Sequence, residues 1–223
     1  MRVVLLDALG TLLELKPPAP RLRRELAARF GVEVSLAEAE AAVAAEIAYY
    51  RAHLDDGRDR QSLASVRRRC ALALRDALPE VARSTLPDGV EMVEALLASL
   101  RFDAFPDALE TLPRLRREGR VLVVVSNWDV SLHEVLERAG FAGLLDGVVT
   151  SAEADARKPD PAIFELALSL AGASAGEAIH VGDSLVEDVG GARAAGIEPI
   201  LLLRGGGSPP PGVRTISSLD ELA

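Results

Sequence analysis

Apolar and polar residues change rhythm twice along the chain. Residues 2–6 form a short apolar run with β-branched members, which predicts a buried strand. It stops at Asp7-Ala8-Leu9-Gly10-Thr11, where Gly10 permits a tight turn, and Pro17, Pro18 and Pro20 then punctuate the chain. From Arg21 to about Leu100 the spacing is helical. Leu22, Leu26 and Phe30 fit one face, Val43, Ile47 and Tyr50 another, and Val66, Cys70 and Leu74 a third. No strand pattern interrupts this stretch, so residues 16–100 read as an insert of several helices. After Pro106 helical stretches alternate with continuous apolar runs. Helices at 106–118, near 132–139, at 161–171 and at 185–195 precede strands at 121–125, 148–149, 179–181 and 200–203. Uninterrupted apolar strands alternating with helices predict an α/β fold, a parallel sheet covered by helices on both faces. The expected division is a core of residues 1–15 and 101–223 and a helical domain of residues 16–100. Residues 204–212, rich in Gly and Pro, read as a flexible surface loop with no catalytic partner nearby.

Composition narrows the class. The formal net charge is −9 over 223 residues, with 49% hydrophobic residues. Such a chain can bury a sizeable core and has no electrostatic reason to seek nucleic acid or an anionic membrane. To handle a phosphate it must recruit positive charge locally, from a metal ion or a placed Lys or Arg. The single cysteine, Cys70, permits no internal disulfide, which fits a reducing compartment. No stretch is apolar for long enough to span a bilayer, and the first residues run straight into a strand rather than a signal peptide, so the expected location is cytoplasmic. Lys occurs only at 16 and 158 and Asn only at 127, against 25 Lys and Arg together. Lys158 and Asn127 are thus unusual choices in this chain.

In open parallel sheets, ligands bind beyond the carboxyl ends of the strands. Four polar sites fall there: Asp7, Ser126-Asn127, Lys158 in the loop beyond Val148-Val149, and Asp183. Taken singly, each has a structural explanation, since Asp7 can cap a turn and Ser126 or Asp183 a helix. Their coincidence at strand ends has none. A carboxylate can attack phosphorus or carbon as a nucleophile, and bringing it against a phosphate dianion requires cations. Asp183 beside Asp7 suits Mg²⁺, a hard ion that prefers oxygen ligands, and Asp188 can hold a metal-bound water. Lys158 adds a second positive charge, Ser126 a hydrogen bond to a phosphoryl oxygen, and the Gly10-Thr11 turn backbone N–H groups as an anion nest.

These residues resemble the haloacid dehalogenase superfamily of aspartate-nucleophile hydrolases. The matching segments are Asp7-Ala8-Leu9-Gly10-Thr11-Leu12, Ser126-Asn127, Arg157-Lys158-Pro159-Asp160-Pro161, and Gly182-Asp183-Ser184 continued to Glu187-Asp188. The resemblance covers the whole chain. It implies a Rossmann-like core with a helical cap between the first and second motifs, and a small phosphorylated molecule as substrate. Asp7 becomes nucleophile and metal ligand, Asp183 a metal ligand, and the backbone carbonyl of Leu9 a third ligand, while Ser126 and Lys158 face the substrate anion. Asn127, Gly10 and Thr11 are expected at the substrate as well. One departure stands out. The family's phosphatases carry a second Asp two residues after the nucleophile as proton shuttle, and here that residue is Leu9. General acid–base help is typically worth about 10²–10⁴ in rate. Glu14 and Asp129 are the nearest replacements along the sequence. A 2-haloacid dehalogenase would need no shuttle, because halide leaves unprotonated, but the acidic cluster argues for a metal. A binding or regulatory protein on the same scaffold is the third possibility.

Among other residues, Trp128 reads equally as lining the site or as packing. His180 reads as a core histidine, and His53 and His133 show no ligand spacing. Arg67-Arg68-Arg69 reads as a solvated helix face and Cys70 as core. Nothing selects Tyr49, Tyr50 or Arg51.

Overall fold

The protein, described here over residues 2–222 by a computed structural model, divides into two compact units. One comprises Met1–Glu14 and Asp103–Ala223, the other Leu15–Phe102.

The first unit is built on six parallel strands: β1 (Val3–Leu6), β4 (Val121–Ser126), β5 (Gly147–Thr150), β6 (Ala178–Gly182), β7 (Glu198–Leu202) and β8 (Arg214–Ile216). Two further strands, β2 (Leu13–Leu15) and β3 (Phe102–Ala104), pair with each other in a separate sheet. The main sheet runs β5-β4-β1-β6-β7-β8. Numbered along the chain, its six strands stand in the order 3-2-1-4-5-6 of a Rossmann-like sheet, whose direction of growth reverses between β1 and β6. All four residues of β1 are buried, which is why it reads Val-Val-Leu-Leu without alternation. One face is covered by Ile163, Phe164 and Ala167 of the helix Pro161–Ala171, packed with Val3, Leu5, Val123 and Val125. That helix starts on Asp160, whose carboxylate accepts the Ala162 N–H, with Pro161 in its first turn, and ends on Gly172 at φ 60°. Helix Pro106–Arg117 buries Ala108, Leu112 and Leu115.

The expected core elements are present, with several differences. The short strands β2 and β3 were not anticipated, nor was β8. Strand β8 is three residues long at the sheet edge, with only Ile216 buried, too short to establish a period. The stretch expected as helix 185–195 is a wider π-type turn at Leu185–Gly190 followed by one α-turn at Gly191–Ala194. The stretch near 132–139 is regular only over Leu132–Leu136, and Gly140 at φ 93° turns the chain out of the helix.

The second unit contains helices Ala19–Phe30, Leu36–His53, Arg60–Asp76, Glu80–Thr85 and Val90–Ser99. The three faces expected from spacing meet in one cluster: Leu22, Leu26, Val43, Val66, Cys70 and Leu74 are buried together with Met92 and Leu96, and Phe30, Ile47 and Tyr50 pack against them. Capping boxes at Ser35 with Glu38 and at Asp59 with Ser62 start the two longest helices. Among the described residues no helix is long and apolar enough to cross a membrane.

Candidate active site

Three adjacent strands, β4, β1 and β6, deliver their C-terminal ends to one place. Leu6 lies opposite Val124 on one side and Val181 on the other, so Asp7, Ser126 and Asp183 emerge together at the reversal between β1 and β6. The Asp7 N–H donates to the Val181 carbonyl at 2.9 Å, which anchors the residue at the strand end. Its side chain is buried, and Oδ1 accepts from Ser126 Oγ at 3.0 Å and from Lys158 Nζ at 2.6 Å. No described residue donates to Oδ2.

Lys158 is 2% exposed, which for lysine requires compensation. Its ammonium bridges Asp7 Oδ1 and Asp188 Oδ1, each at 2.6 Å. Asn127 places it: the amide oxygen accepts the Lys158 N–H at 2.8 Å and the amide nitrogen donates to the Lys158 carbonyl at 3.0 Å. Both ends of the Asn127 side chain, expected at the substrate, thus hold the lysine loop. Asp188, on the π-type turn, accepts from His180 Nε2 at 2.9 Å at Oδ1 and from the Ser184 N–H at 2.9 Å at Oδ2. Gly182 makes room for it, since a Cβ there would lie 2.1 Å from Asp188 Cγ.

Asp7, Asp183 and Asp188 each offer an oxygen within 4.8 Å of the other two. The charges are unbalanced, three carboxylates against one ammonium. Burial pushes the Asp7 carboxyl up to about 6, with Lys158 pulling against it and Asp188 adding repulsion. Partial desolvation and then Asp188 raise Asp183, which stands at the exposed rim. Burial also works against the ionised form of Asp188, but Lys158 and the His180 hydrogen bond outweigh it and hold this carboxyl well below the usual range. Burial opposes the charge on Lys158 too, and Asp7 and Asp188 outweigh it, so the ammonium is held above its ordinary pKa. An all-oxygen, net negative donor set fits a hard divalent cation.

The turn after Asp7 departs from expectation. The Gly10 N–H donates to the Leu13 carbonyl at 2.8 Å and the Thr11 N–H to the Ala8 carbonyl at 3.3 Å. The Gly10 and Thr11 N–H groups, expected to form an anion nest, here close the turn. Gly10 serves another purpose. At φ 85° it adopts a backbone conformation open to glycine, and a Cβ would lie 2.1 Å from Asp183 Oδ2. Leu9 is half-buried on this turn. Of the two replacement acids, Asp129 is buried and accepts the Ser131 N–H at 2.8 Å, and Glu14 lies in β2; no described hydrogen bond joins either to Asp7.

Two participants escaped the sequence reading. His180 is a core histidine as read, yet its Nε2 holds Asp188 while Nδ1 has no partner, the ring standing edge-on to Phe164 at 4.9 Å. A buried His three residues before an Asp on an apolar strand was the available signal. Arg204 was read as the start of a surface loop with no catalytic partner nearby, and it donates to the Gly10 and Thr11 carbonyls at 3.2 and 2.6 Å. No sequence signal links residues so far apart. Trp128 is buried, and its carbonyl accepts from the Ala152 N–H.

The parallel sheet thus gathers a buried aspartate, a lysine and an acidic cluster at its reversal, where open parallel sheets bind their ligands. Residues 1–196 match the family model of haloacid dehalogenase-like hydrolases, and the chain belongs to that family. It is 36% identical over 121 residues to haloacid dehalogenase-like hydrolase domain-containing protein 3 of Bos taurus, covering 54% of this chain and 48% of that one. It is 37% identical over 117 residues to phosphoserine phosphatase of Thermus thermophilus, covering 52% and 47%. The matched region spans about half the length of these relatives. Among solved structures, a haloacid dehalogenase-family phosphatase from Thermococcus onnurineus superposes with a TM-score of 0.68 at 27% identity, covering 100% of this chain and 96% of that one.

Proposed function

We propose that the protein is a Mg²⁺-dependent phosphatase that hydrolyses a small phosphorylated metabolite through a phosphoryl group carried on Asp7. The observation that carries this reading is Asp7 itself: a buried carboxylate at the central strand end, with Ser126 and Lys158 on one oxygen and Asp183 and Asp188 within ligand distance. The phosphatase names of relatives support it. Mg²⁺ held by Asp7, Asp183 and the Leu9 carbonyl would supply charge neutralisation for an incoming phosphate dianion. Asp188, with both oxygens already hydrogen-bonded, suits an outer position through water. The helical unit takes the part of the cap that selects the substrate.

In the first step an Asp7 oxygen forms a bond to phosphorus as the bond to the leaving oxygen breaks, and the leaving group departs with that electron pair. Ser126 and Lys158, already oriented toward Asp7, stabilise the charge on the transferring group. Water then attacks the phosphoryl-aspartate, releasing phosphate and restoring the Asp7 carboxylate. With Leu9 in place of a carboxylic acid, the leaving oxygen must take its proton from solvent.

The test is to trap Asp7. Beryllium trifluoride or a reactive acyl phosphate should modify Asp7 in the presence of Mg²⁺, as read by mass spectrometry, and Asp7→Asn should remain unmodified. Label on another residue with Asp7 clean would refute the assignment. Turnover of a 2-haloacid in EDTA, with no phosphate ester consumed in Mg²⁺, would make the protein a dehalogenase instead.

A further inference from the structure

The Gly10 turn is gripped from a distant part of the chain. Arg204, just past β7, extends all three guanidinium nitrogens to partners: Nε donates to the Gly10 carbonyl at 3.2 Å, Nη2 to the Thr11 carbonyl at 2.6 Å and Nη1 to Asp107 Oδ2 at 2.8 Å. The guanidinium carbon lies 3.8 Å from the centroid of the Phe105 ring, so the group is stacked as well as hydrogen-bonded. Asp107 is fixed in turn. The same Oδ2 accepts from Ser218 Oγ at 3.0 Å and from the Leu219 N–H at 2.8 Å. Burial would raise the Asp107 carboxyl, but Arg204, the Leu219 N–H and the Ser218 hydroxyl outweigh it and hold it ionised.

What this grip controls is the approach of the turn to Asp183. Gly10 comes so near that a Cβ would overlap the Asp183 carboxylate. A small displacement of the turn therefore either collides with Asp183 or moves away from it, and Leu9 moves with it. The turn's own hydrogen bonds, Gly10 N–H to the Leu13 carbonyl and Thr11 N–H to the Ala8 carbonyl, fix its internal shape, and the Phe105 N–H holds its far end by the Leu12 carbonyl at 2.9 Å. Arg204 fixes the part nearest Asp183, through the Gly10 and Thr11 carbonyls. A lysine cannot do the same, because one ammonium lacks the planar fork that reaches two carbonyls and a carboxylate while stacking on a ring.

We propose that Arg204 is a positioning residue that sets the Gly10 turn against Asp183 and thereby tunes cation affinity, an inference that rests on the metal-dependent reading above. The experiment compares wild type, Arg204→Lys and Arg204→Ala by amide hydrogen exchange, by Mg²⁺ calorimetry and by thermal midpoint. Both variants should exchange faster over residues 8–13, with the β4 segment unchanged. Mg²⁺ affinity should fall about 10–100-fold, the usual effect of losing an outer partner of a metal site. Methylguanidinium should restore affinity to Arg204→Ala, where it can fill the vacated place, and not to Arg204→Lys. Should Arg204→Ala fail to fold, Arg204→Lys decides alone. A folded Arg204→Lys with wild-type exchange over residues 8–13 and wild-type Mg²⁺ affinity would overturn the inference. Wild-type protein that binds no Mg²⁺ would overturn the metal-dependent reading and the affinity claim with it, while the exchange comparison still decides whether Arg204 holds the turn.

Discussion

Lys158 and Leu9 act on opposite sides of the same chemistry. The Lys158 ammonium between Asp7 and Asp188 offsets charge that burial would otherwise penalise. Leu9 brings no charge, and with it no proton donor two residues from Asp7, the proposed nucleophile. If proton delivery limits the reaction, rate should depend steeply on the leaving group, with p-nitrophenyl phosphate ahead of alkyl phosphates. Leu9→Asp should then raise alkyl phosphate turnover by up to about 10²–10⁴, the range general acid–base catalysis supplies. Leu9 is half-buried, so a new carboxylate costs stability and adds a fourth negative group to the site. The comparison therefore requires a variant shown by calorimetry to be folded and to bind Mg²⁺. Such a variant no faster than wild type on any ester would show that the pocket is built for other chemistry.

Among the elements, helix Leu36–His53 carries an anomaly that helical spacing did not reveal. Glu46 is 5% exposed within the apolar cluster of its unit, with the Cys70 thiol as hydrogen-bond partner. Burial pushes its carboxyl up to about 7, and Cys70 offsets only part of that. The folded pKa thus lies above the unfolded one. The stabilisation is complete below about 4.5 and is lost as pH rises through about 7. Glu46→Gln removes the ionisation. At pH 8 it should be more stable than wild type by about 1–3 kcal/mol, and the gap should close by pH 5. Urea titrations at both pH values measure this, and a gap independent of pH would refute it. The three apolar faces around Glu46 were legible because a buried helix face repeats every three to four residues. Elements whose form depends on distant contacts were not. Strand β8 is held by Leu201 and Leu202 of its neighbour, and the π-type turn at Leu185–Gly190 carries an Asp188 already engaged with Lys158, His180 and the Ser184 N–H. At the site the division is similar. Asp7, Ser126, Lys158 and Asp183 announced themselves by falling at strand ends. Arg204 did not, because its carbonyl partners at Gly10 and Thr11 lie nearly the whole chain away.

For the whole molecule, two units with separate apolar clusters and an acidic cluster at the end of the parallel sheet make metal binding a selective probe of stability. The chain carries a net charge of −9, and three of its carboxylates converge at Asp7, Asp183 and Asp188. A ligand that binds only the folded state stabilises it by RT ln(1 + [L]/Kd), about 2.7 kcal/mol at a hundredfold excess over Kd. For a chain of this size that corresponds to roughly 5–10 °C in the thermal midpoint, at about 2–4 °C per kcal/mol. The two units need not melt as one, and multidomain chains often depart from two-state behaviour. Calorimetric scans with saturating Mg²⁺ should therefore raise the midpoint of the transition that includes the parallel sheet, and any separate transition of the helical unit should stay in place. Asp183→Asn should abolish the shift, since it removes the exposed carboxylate of the proposed metal site while leaving the hydrogen bonds among Asp7, Lys158 and Asp188 intact. Asp188→Asn should lower the baseline midpoint as well, because it weakens the partner of both Lys158 and His180. An equal Mg²⁺ shift in wild type and Asp183→Asn would place the cation elsewhere. No shift at all in wild type would favour a metal-free role for Asp7, for which haloacid turnover in EDTA is the next measurement.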